Sequence, residues 1–342
     1  MDRDFDDRQT GGRAVLQPIS GRRVLVTGAG GFLGSHLIER LVAEKAIVLG
    51  LARHRGKLSS LKHPDIAFYS CDLTDSQAVQ SALASFRPEV LLHVAAHPDA
   101  KESLHQARDT IACNLIGTVN VLEAFRLCGG SLFVYGDTSK VYGDSSVPYR
   151  ESTPVRPLSS YAIAKAAGWE FCRLYSRIHG LCCVSVRPTM IYGPRQSFNL
   201  ITFVVNSILD GASHVQLDGG SQTRTPLFVE DAINAFVDIM RRGNSLSGRV
   251  VNIGGGCEMT VQEIAAQIAS LMGSSIRIVC ATDRKRLTDM QRSVCDNSEV
   301  EALLGWRPNV DFREGLTRTL ETLAVKRIAG AAVAAGADRG YP

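Results

Sequence analysis

The chain has 342 residues, with 38 Lys and Arg against 34 Asp and Glu, a formal net charge of +4. With 45% apolar and 21% charged residues it has the composition of a globular protein, which excludes extended disorder as its main state. No apolar run approaches the ~20 residues that span a bilayer, so no membrane contact is expected. The charges are interspersed, which argues against a nucleic-acid partner. Nine cysteines show neither a CxxC pair nor zinc-ligand spacing. No bound metal is therefore expected. The mixed-charge start MDRDFDDRQTGG has no apolar core of a secretory signal. Reduced thiols in the cytoplasm are the corresponding expectation.

In chain order, residues 1–20 are expected to form a disordered leader. Arg22–Thr27 reads as a buried strand and Phe32–Glu44 as an amphipathic helix. Strands are then predicted over Ala46–Leu51, Ile66–Cys71, Val90–Val94, Ser131–Tyr135 and Cys182–Arg187. Helices are predicted over Gln77–Phe86, Leu104–Cys128 and Tyr161–His179. Near-continuous apolar strands separated by helices point to a parallel sheet covered on both faces. Right-handed crossovers make it a doubly wound α/β fold over residues 21–188. Beyond Pro188 the pattern loosens. Short strands (Val215–Leu217, Val250–Ile253, Ile276–Val279) alternate with helices (Phe198–Leu209, Glu230–Arg241, Thr260–Met272, Leu316–Val325). Residues 189–325 are read as a smaller C-terminal α/β substrate-binding region, with parts of 226–255 interleaved with the first domain. Residues 326–342 are read as a flexible tail.

Two motifs carry chemistry. The segment Thr27-Gly28-Ala29-Gly30-Gly31-Phe32-Leu33-Gly34 follows the first strand and opens a helix. Gly28, Gly31 and Gly34 suit a tight turn, close approach of a pyrophosphate, and close packing of helix on strand. This is the phosphate-binding turn of a Rossmann sheet, whose helix N-terminus offers free N–H groups. At the end of the second strand an acid would bind a ribose 2′-hydroxyl, whereas a cation would bind a 2′-phosphate. The chain has Arg53 and Arg55 there and no acid, which favours NADP over NAD. Asp72, after the third strand, suits either the adenine amino group or a helix cap. The second motif is Tyr161-Ala162-Ile163-Ala164-Lys165. On a helix, Tyr161 and Lys165 share one face, and an ammonium near a phenol favours the phenolate. Tyr161 can then remove a proton from a sugar hydroxyl.

Together with CDL, HVAAHP, NLIGT, TSKVYG, RPTMIYGPRQ and LLGWRP, these motifs resemble the extended short-chain dehydrogenase/reductase family, in its nucleotide-sugar epimerase/dehydratase branch. The resemblance spans about Arg22 to Leu320. It implies that Gly28, Gly31, Phe32, Leu33 and Gly34 hold the pyrophosphate and that Asp72 and Leu73 flank adenine. It places Ala95, Ala96 and Pro188 along the cofactor cleft, with Asn114 supporting the active-site helix. Thr138 takes the catalytic Ser/Thr position, Tyr161 is the base, and Lys165 holds the nicotinamide ribose. Arg224 and Arg286 match arginines for a nucleotide diphosphate, and Met190 stands where many members have a substrate-binding Asn. Members commonly form homodimers through a four-helix bundle, here from Leu104–Cys128 and Tyr161–His179. Dehydratases and decarboxylases of the branch keep a carboxylate where this chain has Ser139 or Lys140. Redox chemistry at one sugar carbon remains. The expectation is a nucleotide-sugar 4-epimerase, with an NADPH-dependent 4-keto-sugar reductase and a non-catalytic dinucleotide sensor as alternatives. His93, Cys182 and Cys183 are read as core residues.

Overall fold

The structure is a computed structural model that describes residues 16–60, 66–97, 104–281 and 288–323. Its centre is a seven-stranded, wholly parallel sheet. The strands are β1 (Arg23–Thr27), β2 (Ile47–Ala52), β3 (Ile66–Ser70), β4 (Val90–His93), β5 (Leu132–Gly136) and β6 (Cys182–Pro188), with Val250–Ile253 on the edge beside β6. The spatial order runs from Val250–Ile253 through β6, β5, β4 and β1 to β2 and β3. The order reverses between β1 and β4, which leaves a crevice at the carboxyl ends of those strands.

Alternation along each strand sorts the side chains into two cores. Val24 and Val26 face α1 (Phe32–Ala43) and the helix Val229–Arg242, with Leu37, Leu41, Ala232 and Phe236 in the same cluster. Leu25, Leu91 and Phe133 face α2 (Ser76–Phe86), α4 (Gly117–Leu127) and α5 (Ser160–His179), where they meet Leu83, Phe125 and Trp169. The first core continues into the C-terminal half through Val204, Val215, Ile264 and Trp306. That half holds small two- and three-stranded sheets, and its helices Leu200–Leu209 and Val261–Leu271 pack on each other.

Three expectations change. The helix expected over 104–128 is three pieces: α3 (Leu104–Ile111), a π-helical segment Ala112–Ile116, and α4. A one-residue widening leaves no mark on hydrophobic spacing. Residues 16–20, assigned to the leader, are ordered. Ile19 joins the first core at 4% exposure, and the Gln17 N–H donates to the Arg241 carbonyl at 2.8 Å. A short helix, Ser298–Leu304, was not expected. The rest of the leader, the whole of the 326–342 tail and Arg286 lie outside the described residues. Among the described residues no helix is long and apolar enough to cross a membrane, and no His, Cys, Asp and Glu cluster could hold a metal.

Candidate active site

The glycine turn between β1 and α1 is closely packed. Gly28 has φ +68°, and a Cβ there would lie 2.7 Å from the Ala95 Cα. A side chain is excluded on both counts. A Cβ on Gly34 would overlap the Gly28 carbonyl, so α1 can begin only against a glycine. Gly31 at the N-cap supplies no side-chain cap, which leaves the first-turn N–H groups open to an anion. Gly30 has a role that the triplet does not reveal. A Cβ there would overlap the His54 carbonyl, and the Lys57 N–H donates to the Gly30 carbonyl at 3.0 Å. The loop bearing Arg53 and Arg55 thus lies directly against the turn. Its fourth glycine was visible in the sequence, but what it approaches was not.

Both arginines are exposed after β2. The Arg55 guanidinium sits 5.2 Å from the Phe68 ring centroid. Asp72 does not cap a helix. Its Oδ1 accepts from the Thr74 N–H (2.9 Å) and hydroxyl (2.8 Å), while Asp75 caps α2. Those Thr74 bonds, with Arg53 contributing, hold the Asp72 carboxyl below its usual range. Leu73 is buried in the second core.

A cavity of about 230 Å³ joins the turn to the reactive residues. Its walls include Phe32, Leu33, Ala96, Thr138, Tyr161 and Pro188. These six came from separate parts of the sequence and are brought together here. Ala95 stands beside them, its N–H donating to the Thr27 Oγ1 at 3.2 Å. Thr138 ends in extended backbone after β5 and its hydroxyl accepts from the Lys140 N–H at 3.3 Å. Tyr161 is in the first turn of α5, whose N-cap Ser159 accepts from the Ala162 N–H at 3.2 Å. Burial first, and the Asp137 charge second, push the Tyr161 phenol above its ordinary value, against a hydrogen bond with Thr138.

Lys165 follows one turn later, 1% exposed, with its Nζ 4.2 Å from the Tyr135 ring centroid. Burial pushes it down to about 8, with Asp137 opposing. The ammonium was expected to favour the phenolate, yet in this protein the phenol lies above its usual value. Burial and the Asp137 charge outweigh any favour that the neighbouring ammonium lends the phenolate.

Asn114 sits in the π-helical segment and is spent on the backbone. Its Oδ1 accepts from the His97 N–H at 2.7 Å, and its Nδ2 donates to the His97 carbonyl at 3.0 Å. It holds the chain leaving β4 against α3 and α4, and such π segments often mark functional positions. His93 is fully buried between the hydroxyls of Thr27 (2.8 Å) and Thr118 (2.9 Å). Cys182 and Cys183 are buried, free thiols.

On the substrate side, Thr189 and Ile191 line the cavity. Met190, between them, packs against the main core instead. Met190 lies in the irregular link between Pro188 and Ile191 and is partly buried there. Arg224 is anchored by Asp289 and by the carbonyls of Thr223 (2.8 Å) and Met290 (2.9 Å). The cavity wall also includes Asp137, Gln196 and Phe236, which the motifs had not assigned. Asp137 stands directly before Thr138, and only its burial marks it.

The family model described as GDP-mannose 4,6 dehydratase matches residues 25–319. UDP-glucose 4-epimerase of Mycolicibacterium smegmatis is 34% identical over 315 residues, covering 87% of this chain and 97% of that protein. dTDP-glucose 4,6-dehydratase of Neisseria gonorrhoeae is 28% identical, covering 90% and 96%. Among solved structures, Thermus thermophilus UDP-glucose 4-epimerase in complex with NAD superposes with a TM-score of 0.80 at 32% identity, covering 88% of this chain and 98% of that one. The chain is an enzyme of the extended short-chain dehydrogenase/reductase family, in its nucleotide-sugar epimerase/dehydratase branch.

Proposed function

We propose that this enzyme is a nucleotide-sugar 4-epimerase that works through a transient 4-keto sugar. The observation that carries the reading is the single cavity walled by the α1 N-terminus, Thr138 and Tyr161. The glycine turn suits a dinucleotide, since Gly31 leaves the first-turn N–H groups of α1 without a side-chain cap. Gly28, Gly31 and Gly34, with the backbone of Phe32 and Leu33, would hold its pyrophosphate. Lys165 would donate to its nicotinamide ribose and Pro188 would pack near the ring. A dinucleotide held there would supply reversible hydride transfer at the sugar carbon. The Tyr161 phenolate takes the hydroxyl proton and gives it back, and the Thr138 hydroxyl bonds the reacting oxygen. Turnover of the keto sugar between the two transfers inverts the carbon.

Dehydration fits this chain less well, although dehydratases are among its relatives. Ser139 and Lys140 follow Thr138, and neither supplies the carboxylate acid/base that elimination of water requires. The substrate is read as a nucleoside-diphosphate sugar, with Arg224 in its anchored position and Arg286 as the arginines for its diphosphate. Arg53 and Arg55 favour NADP, although the similar T. thermophilus enzyme was solved with NAD. The same two arginines favour a second reading, an NADPH-dependent 4-keto-sugar reductase.

Purified protein is denatured and the released dinucleotide quantified, and native protein is incubated with UDP-glucose and UDP-galactose without added cofactor. Stoichiometric dinucleotide and interconversion of a pair of 4-epimers support the epimerase. Stoichiometric consumption of added NADPH with a 4-keto sugar transfers the assignment to the reductase. A Tyr161→Phe protein is expected to lose about 10²-fold or more in kcat. Full activity in that variant removes the assigned base.

A further inference from the structure

Between Tyr192 and the helix Leu200–Leu209 the chain runs through residues 193–199, and both ends of this run are fixed. At the first end Gly193 has φ +152°, and a Cβ there would overlap the Val229 side chain. At the other end Asn199 caps the helix. Its Oδ1 accepts from the Thr202 N–H at 2.9 Å, and its own N–H donates to the Thr202 hydroxyl at 2.8 Å. Residues 194–198 form the span between them.

The middle of the span is pinned to α1. The His36 Nε2 lies 2.9 Å from the Pro194 carbonyl. Donating there leaves the Nδ1 as an acceptor, and the Arg195 Nη2 donates to it at 2.5 Å. The same nitrogen reaches Glu39 at 2.6 Å. The side chains of Arg195 and His36 are 10% and 15% exposed, against 56% for Glu39. The sheltered imidazole contact therefore holds Arg195 more firmly than the exposed ion pair does. Arg195 has φ +70°, a left-handed conformation that a non-glycine residue keeps when its surroundings hold it there.

A second attachment comes from the loop after β2. The Lys57 Nζ donates to the Ser197 hydroxyl, and the Lys57 N–H donates to the Gly30 carbonyl at 3.0 Å. The contacts thus make a closed circuit: from Gly30 to Lys57, to Ser197, to Arg195, to His36, and back along α1 to the glycine turn. The circuit borders the cavity. Gln196, between Arg195 and Ser197, is in the cavity wall with Phe32 and Leu33 of the first turn of α1. Phe32 meets the His36 ring edge to face, with centroids 5.5 Å apart. One contact, His36 to Arg195, therefore sets two pieces of the wall.

We propose that residues 194–198 are a strap that closes the dinucleotide into the cavity, with Arg195 as its pin and the Lys57–Ser197 hydrogen bond as its latch. A dinucleotide held by the first turn of α1 shares its cavity with Gln196, so exchange requires the circuit to open. The strap bears on the choice between the two reactions. An enzyme that regenerates its dinucleotide in every turnover gains from such closure, whereas one that exchanges it in every turnover is slowed. The proposal rests on the reading of the glycine turn as a dinucleotide site, and its test reads dinucleotide release without any sugar.

Protein loaded with NADH is mixed with excess NAD in a stopped-flow instrument, and the fall in bound-NADH fluorescence gives the release rate. Association is measured separately with dinucleotide-free protein. Release is expected to be about tenfold faster in Arg195→Ala and about threefold faster in Ser197→Ala, with association no slower than in the parent. Ser197→Thr, which keeps the hydroxyl, restores the parent rate. Folded variants that release NADH at the parent rate overturn the strap. So does faster release matched by equally slower association, since a distorted site predicts that. If Arg195→Ala does not fold, the exposed Ser197 carries the test by itself, with the same two outcomes. A parent that holds neither NADH nor NADPH overturns the strap together with the dinucleotide reading.

Discussion

At the residue scale, partners decide how a polar group is held in the buried part of the crevice. His93 is matched: two threonine hydroxyls take its two nitrogens, and burial pushes it from 6.5 down to about 3. Its folded value is depressed, so the unfolded chain takes up the proton first as pH falls. Stability from this site is complete above about 6.5 and drains away toward pH 3. Urea unfolding at several pH values should show that slope, and His93→Gln should flatten part of it. His36, pushed down to about 4 chiefly by burial, adds to the same slope. Arg53 and Arg55 are the opposite case, exposed cations beside the glycine turn. If they select the 2′-phosphate, Arg53→Ala with Arg55→Ala should weaken NADP binding about tenfold or more and leave NAD nearly unchanged, as calorimetry would show. An equal loss for both dinucleotides assigns the pair to general phosphate attraction. The motif residues of the turn were legible because no other side chain fits there. Asp137 was not legible, because nothing in a linear chain says that Arg187, fifty positions away, will lie 2.7 Å from it.

At the element scale, α5 positions both reactive side chains, and its seat on the sheet fixes where they point. Ser159 caps its start, and Gly180, in the left-handed region at φ +66°, ends it. Midway, a Cβ on Gly168 would overlap the Tyr135 hydroxyl, which itself donates to the Lys165 carbonyl at 3.0 Å. Gly168→Ala gains about 1 kcal/mol of helix propensity. It loses about 1–3 kcal/mol by overpacking and part of a hydrogen bond worth about 1 kcal/mol. A net loss of about 1 kcal/mol or more is expected in denaturant titration. A fall in kcat should accompany it, because the helix must move off β5 and take Tyr161 with it. A variant as stable as the parent would show that the helix absorbs the methyl without moving. The existence of α5 was readable from its apolar spacing and its flanking Ser and Gly. The π-helical segment was not, since one extra residue in a turn leaves no mark on apolar spacing and the Asn114 bonds to the His97 backbone join positions seventeen apart.

At the scale of the whole molecule, α5 carries an exposed apolar row: Ile163, Phe171, Leu174 and Ile178, from 36% to 58% exposed. Their spacing of eight, three and four residues keeps them on one stripe. Ile111 and Ile116, on α3 and the π-helical segment, are also exposed. Apolar area of this extent calls for a partner, and a second copy of the chain packed helix against helix would supply it as a four-helix bundle. Light scattering should find a dimer in the parent. Leu174→Glu with Ile178→Glu should give a monomer with the fold retained, and a monomeric parent would refute the arrangement. The sequence by itself determined the doubly wound sheet, the glycine turn and the Tyr161–Lys165 pairing, because each depends on local sterics or on a period of two or 3.6 residues. Only the tertiary structure decided that Val250–Ile253 completes the sheet beside β6 and that Thr189 and Ile191, rather than Met190, face the cavity. It alone also paired Asp137, just after β5, with Arg187 of β6 at 2.7 Å. Burial and proximity between distant segments arise only when the chain closes on itself, and those two quantities push the Tyr161 phenol up and the Lys165 ammonium down.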